Sequence, residues 1–284
     1  MCFVENTKTK NRTWLEYNDT MKILKPKTGH SGDTFRELLD MWEENGYCEI
    51  EETDSKFCWV GERGKVLLYD FPRLDDREIE GFEIGLFGNT VPVCGGCSPW
   101  IFWPRKPRVV EEHRKELVGT RTIESVFLGK IENGIQLRNR SQSRWDTAVE
   151  MFSMPMSLGD ATNTNYPYTQ EEYLDIIKKS SYGLCLPGYG PKCNREIEYM
   201  AFGTVPIITP GVDVSYYDGL VEGEHYIMVD TSDEISPAIK AISKEKWRQM
   251  SDNCVQWYER NSSPKGSFET TERILKNEFD YRTV

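Results

Sequence analysis

Short apolar runs bounded by glycine, proline and aspartate alternate along the chain with stretches whose apolar residues recur at three- and four-residue spacing. Met21-Lys-Ile-Leu-Lys25 predicts a strand running into the glycine-bearing loop Thr28–Asp33. A helix is expected over Thr34–Asn45, because Phe35, Leu38, Leu39 and Trp42 fall on one stripe and Gly46 closes it. Strands are expected at Tyr47–Glu51, Lys65–Tyr69, Phe82–Phe87 and Trp100–Trp103. The charged stretch from Pro104 to Arg121, with a short helix over Val110–Leu117, reads as a bridge.

A second series follows. Its expected strands are Ser125–Leu128, Tyr182–Leu186, Val205–Ile208 and His225–Val229. Its expected helices are Arg144–Phe152, Glu171–Lys179, Asn194–Phe202 stopped by Gly203, Glu234–Ile242, Lys244–Arg260 and Phe268–Phe279. Strands alternating with helices imply α/β halves with parallel sheets covered on both faces, each Rossmann-like, with a cleft between them. The halves are placed at residues 1–118 and 119–284, with the terminal helix 268–279 able to pack back on the first. Ligands in such sheets bind beyond the carboxyl ends of the strands, so loops just after strands are where chemistry is expected.

Composition narrows the partners. The 284 residues are 38% hydrophobic and 29% charged, within the range of a globular enzyme. A formal net charge of −11 argues against nucleic acid or an anionic membrane surface as the main partner. With no apolar leader and no run of about 18 apolar residues, neither secretion nor membrane insertion is expected, and the reading is cytoplasmic. Eight scattered cysteines, including the lone Cys94-Gly-Gly-Cys97, read as reduced thiols rather than a disulfide framework or zinc site.

The chemistry concentrates in Gly188-Tyr-Gly-Pro-Lys-Cys-Asn-Arg195-Glu-Ile-Glu198. Gly188, Tyr189 and Gly190 form a turn whose backbone can approach a ligand closely, and Lys192 and Asn194 lead into a helix with unpaired N–H groups and a positive dipole end. A nucleotide diphosphate fits such a place, Arg195 supplying charge to phosphate oxygens and Glu198, one turn on, accepting from a ribose diol. The same spacing also suits an exposed ion pair between Arg195 and Glu198.

The run Ser181-Tyr-Gly-Leu-Cys-Leu-Pro-Gly-Tyr-Gly-Pro191, followed by Arg195-Glu-Ile-Glu198 and Gly203-Thr-Val-Pro-Ile-Ile208, resembles the donor signature of exostosin-like glycosyltransferases. The likeness covers Lys179 to Asp213 closely and runs more weakly to Asp230. It implies the two-domain GT-B fold, inversion at the anomeric centre and no bound metal, with Arg195 on the diphosphate and Glu198 on the ribose. No Asp-x-Asp for a metal-held diphosphate occurs, Asp75 and Asp76 being adjacent instead. The compact length is similar to exostosin-like enzymes of large DNA viruses of algae, xylosyltransferases among them. On that likeness the donor is a UDP-linked sugar such as xylose, the acceptor an oligosaccharide or glycoprotein, and the location host cytoplasm; beyond the nucleotide sugar no cofactor is expected.

Further candidates rest on position alone. Arg138 and Arg140 follow the first strand of the second half and could reach donor phosphates, and Tyr217 could border the sugar. An inverting transfer needs one base beside the acceptor hydroxyl, for which His30, Asp33 and Asp70 qualify by lying at strand ends of the first half; Asp33 serves equally well as a helix N-cap. Two other readings compete: a non-catalytic nucleotide-sugar or glycan binder of the same fold, and a nicotinamide oxidoreductase. The second is opposed by Cys193 standing where the third glycine of the dinucleotide turn belongs.

Overall fold

The computed structural model describes residues 20–27, 35–55, 57–60, 66–70, 84–87, 103–116, 119–128, 169–187, 192 and 194–281. The expected helix 144–152, the Cys94–Cys97 turn and most of the expected strand 100–103 lie outside these residues, as do His30, Asp33, Arg138, Arg140, Gly188, Tyr189 and Gly190. The described residues form a mixed α/β protein with two sheets.

The first sheet has the order β2-β1-β3-β4-β5, from β1 (Met21–Pro26), β2 (Cys48–Thr53), β3 (Phe57–Val60), β4 (Val66–Asp70) and β5 (Ile84–Phe87). Helix α1 (Phe35–Glu44) connects β1 to its parallel neighbour β2, and its stripe of Phe35, Leu38, Leu39 and Trp42 is buried. Gly46 ends α1 at φ 73°, the left-handed conformation that favours glycine. The expectation of a wholly parallel sheet fails here. Strand β3 runs antiparallel to both β1 and β4, because the links flanking it are too short for a crossover helix.

The second sheet, β6 (Ile123–Val126), β7 (Ser180–Cys185), β8 (Val205–Ile208) and β9 (Ile227–Met228), is parallel throughout and ordered β6-β7-β8-β9. Both faces are covered. One packs on α2 (Pro107–Arg114), α3 (Gln170–Lys178), α4 (Asn194–Ala201) and α6 (Lys244–Asn261), through Val126, Leu174, Ile197, Tyr199 and Trp257. The other face buries Tyr182, Leu184, Val205 and Ile207 against Ile239 of α5 (Ile235–Ala241) and Met250 of α6. Burial on both sides explains why Val205-Pro-Ile-Ile208 is apolar without alternation. The expected strand His225–Val229 shrinks to the two residues of β9.

Arg121 ties this half together at the strands' amino edge. Its guanidinium donates to Lys178 O at the end of α3, Ser180 O at the start of β7, Phe202 O beyond α4 and Thr204 Oγ1. Lys178 O and Phe202 O are carbonyls that helix ends leave unpaired, so one cation serves two helix ends at once. Burial lowers its pKa to about 10, which still leaves it charged near neutrality.

The last helix, α7 (Pro264–Tyr281), places Phe268, Ile274 and Leu275 in the cluster of Ile23, Phe35, Trp42 and Trp103. Trp42 Nε1 donates to Ser267 Oγ at 3.0 Å, and the Trp42 ring meets Phe268 edge-on with centroids 5.5 Å apart. The chain's last described element thus completes a core begun by its first strand.

Candidate functional site

The four parallel strands of the second sheet end along one edge, where β7 continues through Leu186 and Pro187 toward α4. Thr209, just past β8, donates from Oγ1 to Cys185 O at 2.8 Å and keeps the ends of β7 and β8 together. Helix α4 lies low over this edge because β7 carries Gly183, whose missing side chain leaves room for the ring of Tyr199. Its amino end is therefore held at the strand ends, the position where α/β sheets bind ligands.

Arg195, in the first turn of α4, is half-buried. Its guanidinium sits over the Phe127 ring, 4.5 Å from the centroid, and Nη2 donates to Leu128 O at 3.4 Å. Phe127 and Leu128 directly follow β6, so Arg195 bridges the end of that strand and the start of the helix after β7.

Glu198 is not on an exposed face. It is 3% exposed; its Oε1 accepts from the backbone N–H of Arg105 at 2.9 Å and its Oε2 from the Tyr173 hydroxyl at 2.7 Å. Burial pushes its pKa up, against the pull of the hydrogen bonds from Tyr173 and Arg105. Asn194, one turn earlier, donates to Trp103 O at 2.7 Å. Both side chains therefore grip the segment that crosses from the first half to the second.

Lys192 is also buried, at 1% exposed, with its ammonium spent inside the protein. It donates to Ser215 O at 2.8 Å and Asp213 O at 3.2 Å, pairs with Asp213 Oδ2 at 3.1 Å, and lies over the Tyr216 ring at 4.0 Å. Desolvation lowers its pKa despite Asp213, whereas Asp213, reached by solvent, has its own pKa lowered by hydrogen bonds from Ser215 and by Lys192. Both values fall, but with opposite effect on charge: the drop disfavours the ammonium and favours the carboxylate, because the lysine is the deeper partner. This geometry makes Lys192 a staple between the loop after β7 and the loop after β8.

Tyr217 packs against the first cluster with Arg273 5.7 Å above its ring, and Asp218 accepts from Arg260 at 3.1 Å and Arg273 at 3.2 Å. Asp70 ends β4 by its backbone. The residues the sequence reading passed over are Tyr173, Arg105 and Glu196. Tyr173 reads as an ordinary apolar-face residue, and a backbone N–H carries no sequence signal.

Glu196 is 1% exposed, and among the described residues neither carboxylate oxygen accepts a hydrogen bond. Burial raises its pKa to about 7, against the pull of Arg195 and Lys192. Helical spacing puts it on the face of Tyr199 and Met200, both fully buried, so a carboxylate shares an apolar face.

A groove of about 820 Å³ lined by Arg121, Tyr182, Trp247 and Arg248 lies at the opposite, amino edge of the sheet, where the Arg121 guanidinium is already spent on carbonyls. His113, Glu116 and Asp175 bring ligand atoms within 4.8 Å of one another, but Lys178 Nζ, 2.9 Å from Glu116 Oε2, already neutralises that carboxylate. This group reads as an ion-pair network joining α2 and α3. Among the described residues no helix is long and apolar enough to cross a membrane. No family model matches the chain, and no curated protein matches its sequence.

Proposed function

We propose that the chain is an inverting glycosyltransferase of GT-B type, moving a sugar, with xylose the first choice, from a UDP-linked donor to a glycan acceptor. The observation that carries the reading is Arg195. A delocalised cation is held where the end of β6 meets the start of α4, at the carboxyl edge of a parallel sheet. The likeness of Ser181–Ile208 to exostosin-like donor sites supplies the reaction class. Two sheets with separate clusters suit a donor half and an acceptor half; we place the division at 1–118 and 119–284, with Val110 packing forward into the second cluster and Phe268 back into the first.

In such a transfer the acceptor hydroxyl attacks the anomeric carbon as the bond to the diphosphate breaks, and its proton passes to a base in the first half. His30, Asp33 and Asp70 are the candidates. Charge building on the leaving diphosphate is met by Arg195 and the amino end of α4. Lys192 is left out of this role because Asp213 and Ser215 already hold its ammonium.

Thermal unfolding with UDP, GDP and UDP-xylose tests the reading. A donor at about a hundredfold over its Kd should raise Tm by roughly 5–10 °C, and Arg195→Ala should abolish the rise, read against that variant's own unliganded Tm. No shift with any nucleotide would sink it. A shift without transfer to any acceptor would favour the non-catalytic binder.

A further inference from the structure

The crossover segment from Trp103 to Lys106 touches α4 at two points on one helix face. Asn194 and Glu198, four residues apart, take Trp103 O at 2.7 Å and the Arg105 N–H at 2.9 Å. A carbonyl and an N–H two residues apart on the same side are what an extended segment offers an edge partner. Helix α2 behind the segment packs on both halves, with Val110 in the second half's core, and the segment itself is anchored in the first half at Trp103. The Trp103 side chain is buried in that half's core, its ring 4.7 Å from Phe35, and Arg108, just beyond, donates to both oxygens of Glu44 on α1 at 2.8 and 2.9 Å.

Glu198 is therefore the point where the helix of the proposed donor site holds the other half of the molecule. Its Oε2 is fixed by Tyr173, whose hydroxyl is buried and has its pKa raised well above the usual range, so it stays a donor. Among the described residues, Oε1 accepts only from the Arg105 main-chain N–H. A ligand hydroxyl is an equivalent donor, and exchanging one neutral donor for another on a carboxylate oxygen costs little net free energy.

Building on the donor reading above, we propose that the Arg105 N–H and a vicinal diol of a bound nucleotide compete for Glu198, so that nucleotide binding releases the Trp103–Lys106 segment from α4 and couples the donor site to the arrangement of the two halves. Tyr173 is then a positioning residue that keeps the carboxylate in place during the exchange. The coupling is reciprocal: whatever strengthens the grip on the crossover segment weakens binding of the diol.

Hydrogen–deuterium exchange of the full chain, read at the Arg105 amide alongside thermal unfolding, tests this with UDP and 2′,3′-dideoxy-UDP. UDP should raise Tm and speed exchange at Arg105 by roughly 5- to 150-fold, the usual size of a coupling between sites. Dideoxy-UDP should raise Tm through the diphosphate alone and leave that amide protected. If both raise Tm and UDP leaves Arg105 unchanged or slows it, the competition is wrong and the donor reading stands. Equal acceleration by both would show that the diol is not the competitor. If neither raises Tm, the donor reading fails and the proposal with it.

Discussion

The ring of Tyr199 fills the space a side chain on Gly183 would need, so α4 lies closer to β7 than any other residue there would allow. Its hydroxyl reaches back to Val126 O and Leu184 O at 3.4 Å. Replacing Gly183 with alanine should cost roughly 1–3 kcal/mol through overpacking. Urea unfolding would measure it, and Tyr199→Leu in the same chain should recover part of the loss; an additive double variant would argue against the close approach.

Lys192 and Asp213 should respond unequally to removal. Asp213→Asn leaves a fully buried ammonium without its counter-ion, a change on the order of 3 kcal/mol. Lys192→Met leaves a carboxylate that solvent already reaches, so its cost should be clearly smaller. Equal losses in chemical denaturation would contradict the asymmetry.

Glu196 makes stability depend on pH in a direction opposite to most carboxylates. Its folded pKa of about 7 lies above the ordinary 4.5, so between those values the folded chain holds a proton the unfolded chain has lost. Its contribution should fall as pH rises from about 4.5 to about 7, by roughly 3 kcal/mol, and then level off. Glu196→Gln should flatten that slope. A pH series of urea unfolding curves that keeps the slope in the glutamine variant would refute the assignment.

Ser267 is the one hydrogen-bond partner described for the Trp42 indole, and it comes from a helix 225 positions away. Ser267→Ala should cost about 1–3 kcal/mol by leaving that buried N–H unsatisfied. The midpoint of urea unfolding followed by far-ultraviolet circular dichroism measures it. An unchanged midpoint would mean that the Trp42–Ser267 bond adds nothing to the docking of α7.

Local pattern was sufficient for several elements, though the helix over Val110–Leu117 begins earlier, at Pro107, and the last helix begins at Pro264 rather than Phe268. The stripe of Phe35, Leu38, Leu39 and Trp42 set helix α1 to within a residue of its ends, and the apolar run Val205–Ile208 is β8 with the same bounds. Strand β3 was passed over because Phe57-Cys-Trp-Val60 shows no alternation; what makes it a strand is pairing with β1 and β4 on either side. Glycine at the close of helices was equally legible, since positive φ at Gly46 and Gly203 is a local demand.

The site divides along the same line. Arg195, as a cation opening a helix after a parallel strand, could be named from spacing and turn chemistry. That Lys192 is consumed by Asp213 and Ser215, that Glu198 holds Arg105 and Tyr173, and that Glu196 is buried could not. The periodicity of α4 says which side chains share a face, but burial of that face depends on what packs against it. Arg105 and Tyr173 lie 93 and 25 positions from Glu198, and a contact of that range leaves no trace in the spacing of a single helix. The sequence by itself determined most of the elements and their order along the chain. Tertiary structure alone decided which charges in the site are spent, because desolvation and partner geometry exist only once the chain has closed on itself.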